Sequence, residues 1–128
     1  MKLKEGMYVR IKNLKGIEYL GMLININDFR EPSMKYCIDI QASDYVFISK
    51  DMILNANHNI IELIKNKDLV IDTKNNVYLV DKVEDNYVFT TSKNEDGLIK
   101  TLVNYQIKSV VTKELYEEVQ FNFEEIIR

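Results

Sequence analysis

At 128 residues with 46% hydrophobic content, the chain has room for one compact domain or for two half-size modules sharing a core. Its 17 basic and 20 acidic side chains leave a net charge of −3, without the basic excess of a dedicated nucleic-acid binder. The lone cysteine, Cys37, rules out a disulfide within the chain, the lone histidine, His58, rules out a multi-histidine metal cluster, and no apolar run approaches the roughly 20 residues that span a bilayer.

In chain order, Met1-Lys2-Leu3-Lys4 lacks the apolar stretch of a signal peptide, so a cytoplasmic location without membrane insertion is expected. Alternating and β-branched runs predict strands over 7–12, 18–27, 35–41 and 44–49. Between the second and third lies Asp28 to Ser33, the longest loop of this half, which carries the only proline with Phe29 and Arg30 in otherwise polar surroundings. It is a candidate contact loop. In Asp44-Tyr45-Val46-Phe47-Ile48 alternation places Tyr45 and Phe47 on one face and Val46 and Ile48 on the other, so both faces are apolar enough to be covered. Cys37 sits within an alternating strand and reads as a small buried hydrophobe.

Asn59-Ile60-Ile61-Glu62-Leu63-Ile64 has a capping residue and an acid three positions on, which predicts a short linker helix within 58–66. Strands are then expected over 68–73, 76–83, 86–92, 98–104 and 107–111, with turns at Asn75-Asn76, Asp85-Asn86 and Glu95-Asp96-Gly97. Thr112 is a plausible cap for a short C-terminal helix with Glu114 in its first turn. Gln120-Phe121-Asn122-Phe123 alternates like a strand.

The two halves echo each other: Lys4-Glu5-Gly6-Met7-Tyr8-Val9-Arg10-Ile11-Lys12 returns as Lys65-Asn66-Lys67-Asp68-Leu69-Val70-Ile71-Asp72-Thr73-Lys74, and each is followed by a longer apolar strand. The expected fold is mainly β with minor α: an N-terminal half over 1–57, the linker over 58–66, and a C-terminal half over 67–128. A module of about 60 residues buries only roughly 60% of its unfolded surface, so the halves are expected to pack together or to oligomerise.

Chemistry is sparse. Any nucleophilic triad would have to pass through His58, which lies among Asn55, Asn57 and Asn59 in a polar linker. Glu62 with Asp72-Thr73-Lys74 has the acid-x-lysine look of a metal-dependent nuclease, but Asp72 and Lys74 also flank a hairpin turn. Asp81, Glu84 and Asp85 suit the outward face of a hairpin as well as a cation. Four dispersed glycines make no phosphate loop. No enzyme, cofactor or metal is expected. Charge is uneven: Lys2, Lys4, Arg10, Lys12 and Lys15 oppose Glu5 alone at one end, and Glu114, Glu117, Glu118, Glu124 and Glu125 load the other.

The opening Gly6-Met7-Tyr8-Val9-Arg10, with a second strand after Gly16, resembles the start of SH3-like barrels. Asn59-Ile60-Ile61-Glu62-Leu63-Ile64 and Ile107-Lys108-Ser109-Val110-Val111-Thr112-Lys113-Glu114 are similar to segments of small proteins of phages and mobile elements in low-GC Gram-positive bacteria. There, a Gly-Asp-Tyr-Val strand start follows the linker; Lys67-Asp68-Leu69-Val70 stands in its place here. The resemblance covers roughly 55–118. It implies tandem SH3-like barrel halves and a phage accessory protein of the group that includes anti-CRISPR and other anti-defence inhibitors. The expected function is then a non-enzymatic protein that occupies a functional surface of a host-defence nuclease or its guide complex, with Phe29, Arg30, Tyr45, Glu114, Glu117 and Glu118 as candidate binding residues. Alternatives are a protein that sequesters a nucleotide messenger between subunits, using Arg10, Arg30 or lysines for phosphate, and an RNA- or DNA-binding module.

Overall fold

A computed structural model describes residues 2–40 and 45–118. The chain divides into two compact units, Met1–Leu63 and Ile64–Arg128. Each carries one antiparallel five-stranded sheet, so the protein is mainly β.

In the first unit the strands are β1 (Tyr8–Lys12), β2 (Glu18–Ile26), β3 (Tyr36–Asp39), β4 (Tyr45–Ile48) and β5 (Ile53–Asn57), in the sheet order β4-β3-β2-β1-β5. Alternation turns Val9, Ile11, Leu23, Tyr36, Ile38, Ile48, Ile53 and Ala56 into one buried cluster. A 3₁₀ turn, Lys50–Met52, redirects the chain from β4 so that β5 can return antiparallel to β1. β5 was not expected. Ile53-Leu54-Asn55-Ala56-Asn57 is half polar and rich in asparagine, a poor intrinsic strand former, and its conformation is set by pairing with β1 through Val9 opposite Ala56 and Tyr8 opposite Asn57.

The second unit has β6 (Leu69–Asp72), β7 (Val77–Glu84), β8 (Tyr87–Lys93), β9 (Ile99–Leu102) and β10 (Ile107–Val111), ordered β10-β6-β7-β8-β9. Val70, Val80, Val88, Leu102 and Val110 are its most deeply buried aliphatic strand residues. Again a 3₁₀ turn, Asn104–Gln106, precedes the fifth strand, which returns to pair with the first.

The echo in the sequence is thus an echo in topology, down to irregularities. Gly6 (φ 92°) donates to the Leu23 carbonyl at 2.7 Å and Leu23 donates to Met7; Lys67 (φ 73°) donates to Val80 at 2.9 Å and Val80 donates to Asp68. Leu23/Asn25 and Val80/Lys82 bracket matching breaks in strand register, each bending the second strand of its sheet. Lys67 therefore occupies the left-handed position that Gly6 holds in the first unit, at a conformational cost that Gly6 does not carry.

Three hairpin loops share one device. Asn13, Asp72 and Asn94 each use a side-chain oxygen to accept from amides two and four residues on, and the loop closes through a residue with positive φ, respectively Gly16, Asn75 and Gly97. Asp85-Asn86, both with positive φ, make the two-residue turn between Glu84 and Tyr87. Burial pushes the Asp72 carboxyl upward, but amide donors from Asn76 and Lys74, the Asn76 side chain and the Lys100 charge outweigh it, so its pKa lies below the ordinary value. A depressed folded pKa adds stability above the unfolded value near pH 4, and that stability is lost as pH falls through the folded value. Asp72→Asn keeps the acceptor used by Asn13 and Asn94. We expect it to flatten this acid-range dependence in urea titrations run at successive pH values, with the loss of stability seen near neutrality and the two proteins converging as pH falls through the folded value.

The linker helix expected within 58–66 is instead a single 3₁₀ turn, Ile60–Leu63. Glu62 donates to the Asn59 carbonyl at 3.1 Å and Ile61 donates to the Asn59 side chain at 3.2 Å. The helix cannot lengthen, because the Asp68 carboxylate takes the Lys65 amide at 2.8 Å and turns the chain into β6. Asp68 also accepts from Lys113, at the start of the helical residues 113–118, where Thr112 accepts from Leu115 as the expected cap. The expected strand-like Gln120–Phe123 and the strand ends at 41 and 44 lie outside the described residues.

Candidate functional site

β4 ends the first sheet: among the described residues it pairs with β3 alone, Tyr45 opposite Asp39, Cys37 opposite Phe47, and Ile38 opposite Val46. Period-two alternation sends Val46 and Ile48 inward and leaves Tyr45 60% and Phe47 42% exposed. The Asp28–Ser33 loop reaches this face. The Arg30 guanidinium lies 4.4 Å from the Phe47 ring centroid, within range of a favourable cation–π contact. Asn27 holds the loop through its side chain, which accepts from Phe29, and Phe29 itself is fully exposed. Three of the expected binding residues, Phe29, Arg30 and Tyr45, are therefore on or beside one face. Phe47, the ring on which Arg30 rests and which shares its side of β4 with Tyr45, was not among the expected site residues, although its alternation with Tyr45 was visible in the sequence.

Beside β4, an apolar pocket of about 290 Å³ is lined by Ile11, Tyr19, Ile40, Val46, Ile48 and Met52, together with Phe47. A shallower recess near Tyr36 gathers Lys2, Lys35 and Lys50. Lys35 bonds Asp28 at 2.9 Å, and this hydrogen bond and charge raise its pKa above the ordinary value. Burial raises the Cys37 thiol pKa in spite of the nearby Arg30 charge, which fits the inert role read from the sequence.

The acidic candidates are elsewhere, on the helix of the second unit. Glu114 and Glu118 are half-buried, and Glu117 is exposed with Lys113 at 3.9 Å, so part of the expected acid patch is locally balanced. Arg10, expected as a phosphate ligand, is corrected outright. It is 2% exposed, with Nε donating to Glu18 at 2.6 Å and Nη1 to the Leu63 carbonyl at 3.0 Å, so it staples the 3₁₀ turn onto β1. Asp72, the acid of the nuclease-like pattern, is spent on its own loop. Among the described residues no group of three His, Cys, Asp or Glu side chains is placed to hold a metal ion, and no helix is long and apolar enough to cross a membrane.

No protein family, no curated protein and no solved structure matches the chain.

Proposed function

We propose that this is a non-enzymatic binding protein, whose first unit docks a partner protein through the β4 face. The observation that carries this reading is the solvent-facing Tyr45–Phe47 pair on an edge strand with Arg30 seated over Phe47. Aromatic and arginine side chains concentrate binding energy at protein interfaces, and a strand open on one side offers backbone donors and acceptors. The β4–β3–β2–β1–β5 order with a 3₁₀ turn before the returning fifth strand supports reading each unit as an open SH3-like arrangement. The likeness of 55–118 to phage segments directs the first search for a partner to host-defence complexes, as an inhibitor of the anti-CRISPR kind acting in the host cytoplasm. Loss of Arg10 as a ligand weakens the nucleotide-sequestering alternative, and the net charge weakens the nucleic-acid one.

The test is capture of a purified CRISPR nuclease–guide complex by the immobilised protein. Phe47→Ala with Arg30→Ala is expected to weaken capture by at least about tenfold, the scale of hot-spot truncation, while Glu117→Gln with Glu118→Gln reports on the helix. Binding that is indifferent to the β4 pair, or no association with any defence complex, overturns the proposal.

A further inference from the structure

Among the described residues four strands stand at the ends of the two sheets: β4 and β5 in the first unit, β9 and β10 in the second. An open edge is a template for another strand, and proteins blunt it with charge, proline or a break in the ladder. Three of the four carry such a break: between Arg10 and Ile11 where β5 pairs with β1, between Phe89 and Lys93 where β9 pairs with β8, and between Ile107 and Ser109 where β10 pairs with β6. β9 and β10 also hold Lys100 and Lys108. β4 differs from all three. Tyr45-Val46-Phe47-Ile48 is uncharged, has no proline or glycine, and runs in unbroken register along β3.

The pocket of about 290 Å³ opens beside this strand. Val46 and Ile48, the inward residues of β4, form one wall, and Tyr19, Ile40 and Met52, like Val46, are only partly buried, so the core of the first unit meets solvent here. No described residue lining it is charged. Asn13, the amide among them, uses its side-chain oxygen to accept from Lys15 and Ile17 in its own turn. The lining therefore selects an uncharged apolar occupant, because a charge taken out of water there would find no partner. The volume exceeds the roughly 150 Å³ in which an apolar cavity holds a benzene ring, which leaves room for one aromatic side chain.

Resting on the binding reading above, we propose that the partner segment docks as a strand added along β4, with one apolar side chain of that strand filling the pocket. Two features lie on opposite sides of β4: the Tyr45–Phe47 face with Arg30 outside, and the pocket beside Val46 and Ile48 inside. Side chains of a strand alternate between the two sides of a sheet, so a neighbouring strand reaches both at once. Its backbone takes up the donors and acceptors that alternate residues of β4 turn away from β3. A second copy of β4 fits less well, because its inward side chains, Val46 and Ile48, are already walls of its own pocket and cannot also fill another. The occupant is therefore a protein segment with apolar residues at alternating positions and an aromatic one among them.

The probe is an acetyl-Lys-Thr-Val-Thr-Phe-Thr-Val-Thr-Lys-amide peptide, titrated into ¹⁵N-labelled full-length protein. Amide shifts are expected at Tyr45–Ile48 together with Ile11, Tyr19 and Met52, with new protection of β4 amides against hydrogen exchange. Of two further peptides, one N-methylated at Val and Phe and the other at Thr, one should lose binding and the other keep it, since only one alternate set of N–H groups faces β4. Replacing the central Phe of the peptide by Asp should weaken binding by at least about tenfold, the scale of losing one buried anchor. Met52→Trp, which fills the pocket, should do the same and Met52→Leu should not; the peptide comparisons, made on the unaltered protein, decide the matter if the tryptophan variant does not fold. Equal binding of both methylated peptides, with shifts confined to the pocket, makes it a site for a small apolar group and overturns the added strand. Protection of β4 amides without peptide, in a protein that sediments as a dimer, makes a second copy the occupant and also overturns it. Absence of any shift overturns it as well, and capture of a defence complex that still depends on Phe47 and Arg30 would then leave the single-face reading standing, whereas failure of that capture removes both.

Discussion

Arg10→Ala is expected to unfold the first unit. The side chain is buried to 2% exposure, and its removal takes away the guanidinium at 2.6 Å from the Glu18 carboxylate, itself only 14% exposed, and a donor at 3.0 Å from the Leu63 carbonyl. Deleting one member of a buried ion pair costs about 3–5 kcal/mol, because the remaining charge keeps its desolvation cost and loses the countercharge that offset it. A unit of this size has a total stability of roughly 5 kcal/mol, so the loss is of the same order as the whole. Urea denaturation followed by tyrosine fluorescence should lose the transition of residues 1–63. Arg10→Lys should recover only part of it, since an ammonium cannot span both acceptors in the same planar geometry. Full stability of the alanine variant would mean that Arg10 does not hold the turn.

Gly21→Ala is the second large effect, and it reaches the proposed binding face through the sheet. A Cβ at Gly21 would stand 2.5 Å from the Asp39 carbonyl oxygen and 2.7 Å from the Ile38 side chain. The nearer neighbour is backbone and cannot swing away, so β3 must move from β2. Overpacking of this kind costs about 1–3 kcal/mol, and here it lies at the upper end because the clash is with a strand of the same sheet. β4 hangs on β3 alone among the described residues, so its Tyr45–Phe47 face moves with it. The expected result is a lowered urea midpoint together with weakened partner capture, and amide shifts concentrated in 36–39 and 45–48. The second unit offers a contrast, since Tyr78 lies opposite Val70 where Gly21 lies opposite Val9. The constraint therefore comes from the close approach of β3 and not from the repeated topology.

Much of this architecture was legible in the chain. Alternation located nine of the ten strands among the described residues, because a half-buried strand must repeat every two residues whatever it packs on. The turns at Asp85-Asn86 and Gly97 were legible because few residues tolerate positive φ. β5 was not, since an asparagine-rich segment becomes a strand only when a partner edge is waiting for it. Nor was the linker's 3₁₀ form, which is decided by the Asp68 carboxylate three residues beyond Lys65.

The same division holds for function. Phe29, Arg30 and Tyr45 could be nominated from an isolated loop and an alternating strand, but only the fold brings Arg30 onto the Phe47 ring. Arg10 shows the converse. By sequence it is one of five basic residues near the N-terminus, and burial beside Glu18 and Leu63 converts it from a ligand candidate into a structural staple. The sequence by itself determined the β class, the two-part plan and the thin supply of catalytic side chains, because periodicity and residue inventory are local properties. Which aromatics face solvent, which cation is spent and which strand is left at an edge were decided by tertiary structure, because each depends on contacts between residues far apart in the chain.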